Sequence, residues 1–169
     1  EVFVARCTQY DGNSIKEVIN KGFRALYGDN HPIKGREKVL LKPNLLIDAH
    51  PDRAVTTHPE IVMAIGQILK EKGCRVDIGD SPGGRVIEHE VLWKKTMMNN
   101  CADELSADLI NFGTYPQQEI SFISEDLEIR FPLSRVHENY DVLINLPKFK
   151  THGLMGFTGA VKNLFGLVP

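Results

Sequence analysis

Four short apolar runs, separated by longer amphipathic segments, restrict the fold of this chain more than any other feature. They are Val39-Leu40-Leu41, Val76-Asp77-Ile78, Leu109-Ile110-Asn111-Phe112 and Val142-Leu143-Ile144. Each is too brief for a helix and ends in turn residues, the mark of a buried strand. Strands alternating with helices at this spacing predict βαβ units. The expected class is therefore α/β, with a mainly parallel sheet of about four or more strands flanked by helices.

Two helices are legible between the runs. Ser14-Ile15-Lys16-Glu17 reads as a capping box, followed by Ile15, Val18, Ile19, Phe23 and Leu26 on one face and a stop at Gly28. Thr57-His58-Pro59-Glu60 reads as a second box, with Pro59 tolerated in the first turn. Ile61, Val62, Ile65, Ile68 and Leu69 follow as its apolar stripe, ending at Gly73. A third helix is expected between Val86 and Leu105. The stretch from Glu119 to Phe131 differs: apolar and polar residues alternate around Glu125-Asp126, as in a small antiparallel hairpin half open to solvent.

Size and charge narrow the function classes. A chain of 169 residues fits a single α/β domain spanning 1–169. Twenty Lys and Arg against 22 Asp and Glu leave a net charge of -2, which argues against a nucleic-acid partner. No apolar run approaches spanning length, so a membrane partner is not expected either. Cys7, Cys74 and Cys101 are scattered and odd in number, without a C-x-x-C pair. Reduced cysteines point to a cytoplasmic protein. His31, His50, His89 and His137 lack metal-ligand spacing, and no metal site is assigned.

In open α/β sheets, ligands bind beyond the carboxyl ends of the strands. Three loops are expected there: Lys42-Pro43-Asn44, Gly79 to Gly84, and Asn145 to Gly153. Together they gather Lys42, Lys148 and Lys150 with Asn44, Asn145, Ser81 and Thr151, one carboxylate at Asp80 and one imidazole at His152. Such a concentration of lysines suits a phosphate or carboxylate. Gly153, Gly156 and Gly159 lead into Ala160-Val161-Lys162, where a helix start would aim its positive end at the same anion, and Lys162 would be a further anchor. The glycine spacing matches no nucleotide fingerprint. Taken singly, the lysines read equally well as solvated surface charge, Asp80-Ser81 as a turn device and the glycines as packing aids. A Ser81-His152-Asp80 triad can be composed, but Ser81 lies outside any G-x-S-x-G elbow.

Five ordered blocks carry a family resemblance. They are Leu41-Lys42-Pro43-Asn44-Leu45, Thr56 to Glu60, Asp80-Ser81-Pro82-Gly83-Gly84, Ile144 to His152 and Gly159 to Gly166. This pattern resembles the domain of unknown function 362 family, over roughly Val39 to Pro169. The resemblance implies an α/β domain often accompanied by a ferredoxin-like iron–sulfur module, and no established reaction. The cysteine-rich cluster motif is missing, so no cofactor is expected in this chain. An iron–sulfur cluster would belong to a partner or to another segment. The chain is expected to be the first part of a longer family domain.

The leading expectation is an enzyme domain binding a small anionic metabolite, held by Lys42, Lys148 and Lys150 and oriented by Asn44, Asn145 and Ser81. His152 or Asp80 would transfer the proton. Redox chemistry with an iron–sulfur partner is an extension of it. The alternative is a non-catalytic ligand-binding or scaffold domain that docks a ferredoxin-like iron–sulfur protein.

Overall fold

The computed structural model describes residues 1–81 and 88–168. Helix α1 (Gly12–Tyr27) precedes strand β1 (Lys38–Pro43), and α2 (Pro59–Glu71) leads into β2 (Arg75–Asp80). Helices α3 (His89–Lys95) and α4 (Met98–Leu105) then carry the chain to β3 (Leu109–Asn111). An antiparallel hairpin, β4 (Gln117–Ser124) and β5 (Leu127–Ser134), comes next, followed by β6 (Val142–Leu146). A second, smaller hairpin, β7 (Lys150–His152) and β8 (Gly156–Thr158), ends in the four-residue helix α5 (Ala160–Asn163) and a 3-10 turn, Leu164–Leu167.

The main sheet has the order β3-β2-β1-β6 and is parallel throughout. All four apolar runs lie in it, as the α/β expectation requires. Strand alternation divides the core between its two faces. Val39 and Leu41 of β1, with Val76 and Ile78 of β2, pack under α2, α3 and α4 against Val62, Leu69, Leu92, Met98 and Leu105. On the opposite face Leu40 packs with Phe112 and Val136. Gly66 lets α2 approach α4: a Cβ there would fall 2.3 Å from a methyl carbon of Leu105.

The strands run further than their apolar triplets. Lys42 and Pro43 belong to β1, Gly79 and Asp80 to β2, and Asn145 and Leu146 to β6, rather than to the loops. Phe112, by contrast, leaves β3 and begins a 3-10 turn. The expected third helix is two, broken at Met97 with φ +60; its Val86–Ile87 start lies outside the described residues, as do Pro82, Gly83 and Gly84. The Glu119–Phe131 hairpin forms as read, with Glu125 and Asp126 both at positive φ, the geometry a two-residue hairpin turn demands.

Both capping boxes are corrected. Asp11, not Ser14, caps α1: its carboxylate accepts the Ser14 backbone N–H at 2.9 Å. At α2 the cap is His58, whose Nδ1 accepts from the Glu60 N–H at 3.2 Å. Thr57 is drawn away because its hydroxyl is used between two strands, as described below. Gly28 ends α1 at positive φ as expected.

Hydrogen bonding from Ser14, by its side chain first and its backbone N–H second, holds the Asp11 carboxyl below the usual carboxylate range. A carboxyl depressed in the folded state adds stability above its unfolded pKa and loses it as pH falls through the folded value. Asp11→Ala should therefore lower the urea midpoint at neutral pH, with the difference vanishing in acid, while Ser14→Ala, which keeps the backbone N–H bond, should lower it less.

Candidate functional site

The chain steps from β1 to β2 and β3 on one side, then returns to β6 on the other side of β1. Adjacent strands whose connections depart in opposite directions open a crevice at their carboxyl ends, here between β1 and β6. Pro43 pairs with Leu146 as the last step of that ladder. Just beyond it the buried Thr57 hydroxyl accepts the Asn44 N–H at 2.8 Å and donates to the Leu146 carbonyl at 2.6 Å. A side chain thus replaces a ladder bond where the two strands separate.

Under the crevice lies a fully buried ion pair. Lys42 Nζ stands 2.5 Å from Asp80 Oδ1, and the second Asp80 oxygen accepts the Leu45 N–H at 2.8 Å. The ammonium also faces the Phe112 ring. Gly166 of the terminal 3-10 turn lies over the pair. A Cβ at that position would sit 2.5 Å from Asp80 Oδ1 and 2.7 Å from Lys42 Nζ. Lys42 and Asp80, expected as anion anchor and proton-transfer group, are thus committed to each other.

Above the pair runs a directed chain of amides. Lys150 Nζ donates to Asn44 Oδ1 at 2.7 Å, and Asn44 Nδ2 donates to Asn163 Oδ1 at 3.1 Å. Asn163 Nδ2 in turn donates to Asn145 Oδ1 at 2.7 Å, and Asn145 Nδ2 to the Ala160 carbonyl at 2.8 Å. Asn163 is buried and also reaches the carbonyls of Lys42 and Pro43. Each amide between Lys150 and Ala160 accepts from one neighbour and donates to the next. The network thereby fixes Asn44 and Asn145 at the crevice and leaves each one further N–H.

The lysines of the third loop meet here as expected. Lys150 is half-buried and donates to two neutral acceptors, Asn44 Oδ1 and, through a very short contact, the Val55 carbonyl. Burial, then the charges of Lys148 and Lys162, hold its pKa below the usual lysine value. Lys148 itself reaches the Tyr10 hydroxyl at 3.2 Å, and Tyr10 stacks on His58 with ring centroids 3.7 Å apart. Burial and Lys148 likewise depress the His58 imidazole, which suits its neutral role as a helix cap.

Other expected residues take no part in this hydrogen-bond network. His152 Nδ1 accepts the Leu154 and Met155 amides, closing the β7–β8 turn, and no bond joins it to Asp80 among the described residues. Thr151 is exposed and opposite Phe157. Ser81 follows Asp80 directly and is partly buried. Gly156 serves the hairpin turn at φ +74, and α5 is a single turn rather than a full helix. The three cysteines are free, with only Cys7 exposed; burial raises the Cys101 thiol to about 12.

Asn163, Tyr10 and Gly166 carry no individual signal in the sequence as site residues, and Thr57 reads there only as a helix cap. Asn163 and Gly166 lie inside the Gly159–Gly166 block, so the block was the available signal. For Tyr10 there was none, because its partner is 48 positions away.

Residues 39–169 match the family model described as Domain of unknown function (DUF362). The chain belongs to the DUF362 family. A relative, the thylakoid-associated protein sll1697 of Synechocystis sp., is 32% identical over 173 residues, covering 99% of this chain and 50% of that protein. The present chain thus spans about half the length of this relative. No solved structure matches it. No helix among the described residues of this DUF362 chain is long and apolar enough to cross a membrane.

Removing one member of a buried ion pair leaves the other uncompensated, at a cost of about 3–5 kcal/mol. Lys42→Ala should lose about that much stability in urea unfolding. Lys42→Met combined with Asp80→Leu should lose clearly less than the sum of the two single changes, since neither charge then remains alone.

Proposed function

We propose that the crevice between β1 and β6 binds a small anionic metabolite carrying a phosphate or carboxylate. Lys148, Lys150 and Lys162 supply the charge, while the spare N–H groups of Asn44 and Asn145 orient the anion. The Lys42–Asp80 pair holds the floor of the crevice and does not touch the ligand. If the domain is an enzyme, the Nε2 atom of His152 is its proton-transfer group, because Nδ1 is occupied by the hairpin turn. Redox chemistry with an iron–sulfur partner draws no support from the geometry of this crevice.

A single observation carries the reading: the half-buried Lys150 ammonium has two neutral acceptors and two cationic neighbours, and no carboxylate pairs with it among the described residues. Ammonium groups taken out of water normally find a counter-charge in the protein. Here an anion from solution would supply it, the electrostatic logic of many phosphate sites. Protonated Lys150 opposes folding, since its folded pKa lies below the unfolded value, and stability gains as pH rises through that alkaline window. A bound anion removes the same penalty at neutral pH.

Inorganic phosphate should therefore raise the melting temperature at pH 7. Calorimetric affinity for phosphate should fall about ten- to a hundredfold in each of Lys148→Ala and Lys150→Ala, the loss of one charge-assisted hydrogen bond of about 1.5–3 kcal/mol. Affinity should also decline with rising pH before ordinary lysines titrate. Unchanged affinity in both variants would sink the proposal.

A further inference from the structure

The β7–β8 hairpin has its polarity inside out. Cross-strand pairing sets Lys150 with Thr158, and His152 with Gly156, on one face, and Thr151 with Phe157 on the other. The polar face turns inward: Thr158 is buried and Lys150 is bonded to Asn44. On the outward side Phe149 and Phe157 are 79% and 63% exposed, with ring centroids 5.7 Å apart. At the tip Leu154 and Met155 are 87% and 61% exposed. A hairpin facing water shows the opposite pattern, polar outward and apolar inward. The same inversion continues into α5, where Asn163 is buried and Val161 exposed.

Charge selects the occupant. From Val142 to Pro169 the sequence contains no Asp or Glu, and its lysines flank or underlie the apolar tip. A second copy docking through the same face would bring these lysines against one another with no carboxylate of the segment to pair them. A protruding tip also fits a deformable medium better than a preformed protein groove. Basic residues around exposed aromatic and aliphatic side chains are the composition of segments that lie in the headgroup region of anionic membranes. We propose that the outward face of the β7–β8 hairpin inserts shallowly into an anionic lipid surface, with Leu154 and Met155 at the acyl boundary and the net positive charge of the segment drawing it to the lipid phosphates. The expectation of no membrane partner rests on the lack of an apolar run of spanning length in the sequence; interfacial contact requires none.

The test is co-sedimentation with phosphatidylglycerol vesicles, with pure phosphatidylcholine vesicles as the neutral control. The chain should bind the anionic vesicles, release on adding salt, and bind the neutral ones weakly. Leu154→Asp with Met155→Asp should lower the partition about tenfold or more, with an unchanged circular dichroism spectrum. Met155→Ser alone should reproduce the direction if the pair disturbs folding. Neither change touches the lysines or asparagines of the crevice, so failure here is separable from failure to bind phosphate. Absence of binding to phosphatidylglycerol, or equal binding by both variants, overturns the proposal. So does a concentration-dependent dimer that these substitutions dissociate, without vesicle binding: a second copy then covers the face.

Discussion

Two full charges lie at the floor of this molecule, and much of the rim is arranged around them. Lys42 is the penultimate residue of β1 and Asp80 the last of β2, so their contact clamps the carboxyl ends of neighbouring parallel strands. Desolvating an ammonium and a carboxylate is costly unless each finds its partner and further hydrogen bonds. Asp80 meets that demand with the Leu45 amide, which fixes the path of the chain as it leaves β1. Gly166 meets it from above by excluding any side chain of its own, so that the terminal turn closes over the pair. The ion pair explains why a chain segment so distant in sequence lies across these strands.

The crevice follows from that clamp and from strand order. With β1 tied to β2, the opening at the switch point falls on the β6 side, where Thr57 bridges the parting strands. Asn163 then links the ends of β1 and β6 through Asn44 and Asn145. These neutral amides place Lys150 without neutralising it. A carboxylate in the position of Asn44 would satisfy the lysine and remove the excess charge. Stability and electrostatic readiness are thus divided between two layers, with the paired charges below and the unpaired ones above.

The same division separates what could be read in advance from what could not. The lysines of the third loop were visible because strand ends gather in parallel sheets, and that rule needs only the order of elements. Lys42 and Asp80 looked like members of the same group because charge type is visible in sequence and burial is not. Their mutual neutralisation extends β1 and β2 past the apolar triplets, which hydrophobicity alone could not anticipate. Caps were misplaced for a related reason. Thr57 is a good capping residue by type, but its hydroxyl has a stronger claim between two strands, and His58 takes the position instead.

By itself, then, the sequence determined the class of fold, the order of its main strands and helices along the chain, the first hairpin and the gathering of Asn44, Asn145 and Lys150 at one rim. Those properties depend on local periodicity and on short-range turn chemistry, which a linear string carries in full. Tertiary structure decided which charges cancel and which remain, because that depends on contacts such as Lys42 with Asp80 and Asn44 with Asn163, separated by 38 and 119 positions. It also decided which way the last hairpin faces. Alternation along β7 and β8 shows two faces but not which of them meets the protein, and only the packing of Lys150 and Thr158 against the rim turns the aromatic face outward.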